Sequence, residues 1–186
     1  LDVFINGGDI YCASASRMFK VPVEKHGVNG HLRQRGKVAE LALGYGGGVG
    51  AMATMDKAGA IPEDERQGIV DQWRAASPQI TKLWKTYERA AKTAIRERRT
   101  IKVKHGITFY MKENILFVKL PSGRSIAYWG ARIDEESGQL CYYGVGENHN
   151  WQLLRTYGGK LTENIVQAAA RDCLGVKLIQ VTELGY

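Results

Sequence analysis

Apolar residues recur at helical spacing up to about residue 100, then at a period of two from Ile101 to about Val145. Asp9 suits the N-cap of a short helix over Ile10 to Phe19, which Pro22 ends. A second helix is predicted after Asn29-Gly30, running to about Tyr45 and carrying Leu32, Ala39, Leu41, Ala42 and Leu43. The run Gly44-Tyr45-Gly46-Gly47-Gly48 stops it and permits a tight turn. A third helix opens at Pro62, with Glu63, Asp64 and Glu65 near its positive dipole end and Ile69, Val70 and Trp73 on one face. Ser77-Pro78 breaks that run and starts a fourth, in which Ile80, Leu83, Trp84, Tyr87 and Ala91 keep helical spacing. That set reads as core. The helix finishes among Arg96, Arg98 and Arg99, which suits its negative end.

Beyond it, Ile107-Phe109, Ile115-Phe117-Lys119 and Ile126-Tyr128 alternate as strands do, with Pro121-Ser122-Gly123 as a turn. Thr162 opens a further helix with Ile165, Val166, Ala169 and Cys173, and the tail 176–181 is compatible with strand or helix. The order implies an α+β class: a helical region over 1–100, then a small antiparallel sheet and a helix over 101–186. A chain of 186 residues fits one compact domain of ordinary size, or one with an extension.

Charge sharpens this picture. A formal net charge of +7 attracts polyanions, of which nucleic acid is the commonest. The basic stretch Lys92 to Lys104 suits either a DNA backbone or a solvated face. Cys12, Cys141 and Cys173 are odd in number and lack CxxC spacing, as in a reducing compartment. No apolar run is long enough to span a bilayer, so no membrane partner and a cytoplasmic location are expected. The four histidines have no metal-ligand spacing with the cysteines, and no metal site is expected in the chain. The glycine run follows a helix rather than a strand and lacks Gly-Lys-Ser/Thr, which excludes dinucleotide and Walker loops. Asp9, Asp56, Asp64 and Asp71 read as cap and surface groups.

The sharpest feature is Arg33, Lys37, Leu41 and Tyr45, each four residues from the next. At that spacing each side chain lies about 40° round the helix from the last, giving one slanting stripe. Two cations at one end and a flat ring beside glycines at the other match the order of a nucleoside triphosphate. An ordinary amphipathic helix fits the same spacing, with Arg33 and Lys37 in water and Leu41 and Tyr45 in a core.

The stretch from Arg33 to Gly46 also resembles the Arg-x3-Lys-x7-Tyr-Gly helix, motif B, of family A DNA polymerases. Asp9-Ile10-Tyr11 with Ala13 and Ala15 is similar to the family's Asp-Ile-His helix, and Phe19-Lys20-Val21-Pro22 to its Phe-Gly-x-Pro step. Gln72-Trp73, Ser77-Pro78 and Gly123-Arg124 follow in family order. Tyr157-Gly158-Gly159-Lys160-Leu161 and the run 163–167 look most like the phage and prophage branch.

The resemblance implies that residues 1–100 are fingers and that 101–186 belong to the palm of the same catalytic domain. It implies that Arg33 and Lys37 hold the triphosphate of an incoming deoxynucleoside triphosphate and that Lys37 assists the leaving pyrophosphate. Tyr45, Leu41 and Tyr11 would border that site, Tyr11 in place of the family's His and Leu41 in place of its Phe or Tyr. Gly46, Arg124, Lys160, Asn164 and Gln167 are implied to contact primer-template DNA. Two Mg²⁺ ions would take part, held by aspartates of motifs A and C, neither of which the chain contains. The chain is expected to begin after the first and end before the second, and to be inactive alone. A non-catalytic nucleic-acid-binding module and a single-subunit RNA polymerase remain alternatives. For the nucleotide reading, Arg33 and Lys37 are expected exposed and unpaired with carboxylates.

Overall fold

A computed structural model describes residues 2–185. The class is α+β, with helices first, then an antiparallel sheet, then a long helix. The helices are α1 (Asp2–Ile5), α2 (Ile10–Phe19), α3 (Leu32–Leu43), α4 (Val49–Met55), α5 (Arg66–Ala76), α6 (Pro78–Glu97) and α7 (Gly158–Glu183). The strands are β1 (Ile101–Lys102), β2 (Thr108–Lys112), β3 (Ile115–Lys119), β4 (Ser125–Ile133), β5 (Leu140–Val145) and β6 (Trp151–Thr156).

The chain packs as two compact units that meet in sequence at Lys82 and Leu83. The division falls inside α6 rather than after it, because Tyr87, Ala90, Ala91 and Ala94 of that helix belong to the core beneath the sheet.

In the first unit α2 packs on α3, and α4 and α5 pack against α3 in turn. Leu43, Met52, Ile61, Val70 and Trp73 are buried there. Cys12, Ala15 and Val23 form a smaller cluster with Phe19 and Leu32. Helix α4 was not anticipated, since its Gly50 and short apolar run carry no clear helical period. Asp56 is no surface group. It is buried, and it accepts from the Ala60 and Ile61 amides at 2.9 and 2.8 Å, closing the turn beyond α4.

In the second unit the six strands form an antiparallel meander in chain order, with a bulge in β4 between Trp129 and Arg132. One face meets α6 and α7 through Phe109, Leu116, Val118, Tyr128, Leu140, Leu161 and Ile165. The sheet extends past Val145 to include β6, and the tail at 176–181 is helix. Helix α7 begins at Gly158, a turn before Thr162. The Gly158 amide donates to the Glu88 carboxylate at 3.1 Å, and a Cβ there would sit 2.1 Å from the Trp84 carbonyl oxygen. Only glycine admits that approach.

Candidate nucleotide and nucleic-acid sites

The Arg33 stripe lies on α3, whose buried face is Gly36, Val38, Ala39, Ala42 and Leu43. Leu41 and Tyr45 are therefore not core: they are 50% and 37% exposed. That removes the amphipathic explanation of the spacing, which required both to be covered. Lys37 is half-buried and makes no hydrogen bond or ion pair among the described residues.

Arg33 departs from expectation because it is paired. Its Nε donates to Asp9 Oδ2 at 2.7 Å, and its guanidinium lies 5.3 Å from the Tyr11 ring centroid. The pairing occupies Nε alone, leaving the terminal Nη donors for a second anion. The other Asp9 oxygen caps α2 through the Tyr11 and Cys12 amides, at 2.9 and 3.2 Å. Partial burial pushes the Asp9 carboxyl up. The hydrogen bond from Arg33 and those two amides outweigh it and hold the group below its usual range.

Gly36 is the residue that sequence reasoning missed. A Cβ there would lie 2.6 Å from the Tyr11 carbonyl oxygen and 2.9 Å from Ala15 Cβ. The two helices therefore touch backbone to helix at the point that brings Tyr11 beside Arg33. Its signal, a glycine amid good helix formers, was visible. At the other end, Gly46 has φ +85° and Gly47 is packed too tightly for a Cβ, while Arg74 donates to the Gly47 carbonyl at 3.2 Å.

The residues tied by sequence to primer-template contact divide between the units. Gly46 is in the first. Lys160, Asn164 and Gln167 share one stripe of α7, where Glu163 accepts from Lys160 at 2.8 Å and Gln167 at 3.2 Å. That hydrogen bond raises the Lys160 pKa. Asn164 donates to the Tyr128 hydroxyl at 2.9 Å, and burial pushes that phenol up to about 12. Arg124 docks further along α7: it pairs with Asp172 at 2.8 Å and donates to the Ala168 carbonyl at 3.1 Å. Helix α6 adds cations not singled out in sequence, Lys85 and Arg89, which line a shallow groove with Lys92, Arg96 and Glu88, the last paired with Lys92 at 2.6 Å. No helix among the described residues is long and apolar enough to cross a membrane.

No family model matches the chain. Over 191 residues it is 49% identical to a protein named DNA polymerase from Bacillus phage SP02. It is similar to part of a phage polymerase. The match takes in all of this chain but 30% of the phage protein's length.

Proposed function

We propose that this chain is the nucleotide-binding portion of a template-directed DNA polymerase of family A. The observation that carries it is the stripe on α3: two cations, an aliphatic and an aromatic side chain in file, turned away from the helix's buried face. The likeness to the phage polymerase supports the same reading.

On this reading the Arg33 Nη groups and the Lys37 ammonium take the triphosphate, and Tyr45 with Leu41 borders the base. Tyr11 offers its hydroxyl where the family has a charged donor. Lys37 meets negative charge that grows on the β- and γ-phosphates as the primer 3′-hydroxyl attacks the α-phosphate. Gly46 leaves room beside the templating base, and Arg124, Lys160, Asn164 and Gln167 with α6 contact primer-template. Among the described residues no group of three or more His, Cys, Asp or Glu could hold a metal ion. The Mg²⁺ ions that such chemistry uses would be bound by carboxylates elsewhere in the parent polymerase, and the segment alone does not polymerise.

Titration with a fluorescent deoxynucleoside triphosphate tests this. Arg33→Ala and Lys37→Ala should each weaken binding roughly tenfold, the scale of one charge-assisted contact. Unchanged affinity in both variants, with native melting retained, sinks the assignment.

A further inference from the structure

We propose that the sheet face turned away from α6 and α7 is a separate binding surface for single-stranded nucleic acid. It goes beyond the nucleotide site on α3 and does not rest on it.

Strand register defines the face. Leu116, Tyr128 and Leu140 point into the core. Their neighbours point the other way, and cross-strand partners share a face. Trp129 stands opposite Tyr143, and Tyr143 opposite Leu153, so these three form one row; Val145 and Trp151 form the next. These are not covered residues: Trp129 is 51% and Trp151 60% exposed. Solvent-facing indoles on β4 and β6, with Tyr143 and Val145 of β5 between them, make an apolar patch of the kind that marks a binding surface.

Charge identifies the occupant. None of the six strands contains an aspartate or glutamate, whereas Lys102, Lys112, Lys119, Arg132 and Arg155 all lie in strands. Arg132 and Arg155 flank the row next to Trp129 and Tyr143, both in register with Cys141, and the Arg132 guanidinium lies 5.2 Å from the Tyr143 ring centroid. Acidic groups lie in the turns rather than in the strands, at Asp134, Glu135 and Glu147, and Asp134 is near enough to Arg155 and Arg132 for their charges to help lower its pKa. Aromatic rings for bases beside cations for phosphates, on strands that carry no carboxylate of their own, is what a single strand recognises. Rows two residues apart are about 7 Å apart, close to the repeat of an extended strand. A second copy of the chain fits worse, because the same cations would oppose one another.

The test uses the whole chain and a fluorescein-labelled oligothymidylate of about ten nucleotides, read by anisotropy and by quenching of tryptophan emission. Trp129→Ala with Trp151→Ala should lower affinity at least tenfold and remove the quenching, while Trp129→Phe with Trp151→Phe keeps most of the affinity. Arg132→Gln and Arg155→Gln should each reduce the salt slope, by roughly 0.7 on a single strand. Arg33→Ala should leave oligonucleotide binding intact, which separates this surface from the α3 site. Unchanged affinity in the double Ala variant with native melting overturns the proposal. If that variant does not fold, full affinity and salt slope in the folded Arg132→Gln, Arg155→Gln double variant overturns it instead. So does sedimentation showing a dimer that the indole substitutions dissociate.

Discussion

Asp9 holds two elements at once: Oδ1 caps α2 through the Tyr11 and Cys12 amides, and Oδ2 takes the Arg33 Nε of α3 at 2.7 Å. One carboxylate thus fixes where an arginine fork sits relative to the tyrosine ring beneath it. Asn at this position keeps the cap but loses the charge; Ala loses both. Asp9→Ala should destabilise by about 1 kcal/mol through the cap alone, and Asp9→Asn by less. Both should weaken nucleotide binding several-fold, since Arg33 is no longer oriented. Thermal melting and nucleotide titration check the two arms. Because the folded carboxyl is held low, its contribution is present above the usual value near 4 and is lost as pH falls through the folded value, so Asp9→Asn should flatten the acid limb.

Gly36→Ala places a methyl 2.6 Å from a backbone oxygen that cannot turn aside. Helices α2 and α3 must separate, which costs roughly 1–3 kcal/mol and displaces Tyr11 from Arg33. Gly68, within α5, meets nothing within 4 Å, so Gly68→Ala should instead be neutral or stabilise by up to about 1 kcal/mol. Denaturant unfolding of the pair distinguishes a packing requirement from a general aversion to alanine.

These two residues also show what the sequence held and what it hid. The Asp9 cap was legible because capping is local, and the Arg33-to-Tyr45 stripe because four-residue spacing needs only helix geometry. The Asp9–Arg33 pair was not, since it joins residues 24 apart in the chain. Unpaired Arg33 was the natural expectation for a phosphate site. Strand β6 escaped because its outward face carries Trp151 and Leu153 while Gln152 points inward, so apolar and polar positions do not alternate with burial. Helix α7 was expected a turn late because a Gly-Gly start gives no capping signal; the Glu88 carboxylate of α6 receives it instead.

Tyr128 should make the second unit sensitive to alkali. Its phenol is pushed to about 12 by burial, against about 10 for a free tyrosine. A raised value means the stabilisation is complete below pH 10 and is lost as pH rises toward 12, about 2–3 kcal/mol in all. Tyr128→Phe should abolish that part of the alkaline loss. At neutral pH it should cost roughly 0.5–1.5 kcal/mol for the hydrogen bond from Asn164. Unfolding free energies of both proteins from pH 7 to 12 provide the comparison.

Lys37 differs from Arg33 in having no carboxylate partner among the described residues, so its charge is uncommitted until a ligand arrives. Under the proposed function, in a full-length polymerase carrying this segment, the Lys37 charge would be aimed at the leaving pyrophosphate and would act mainly on the transition state. Lys37→Ala should lower the maximal single-turnover rate by about a hundred- to a thousandfold, equivalent to roughly 2.7–4 kcal/mol. Lys37→Arg should recover only part, because a guanidinium is broader and does not release a proton. Under the proposed function Arg33→Ala should act at least as strongly on nucleotide affinity as on rate, since its fork would contact phosphate already in the ground state. Alanine is well tolerated at these partly exposed helix positions, so melting should stay near native for Lys37→Ala. Rate measured against nucleotide concentration separates the two roles. A Lys37→Ala enzyme with full maximal rate and only a raised apparent dissociation constant would make Lys37 a binding residue and remove it from the chemical step.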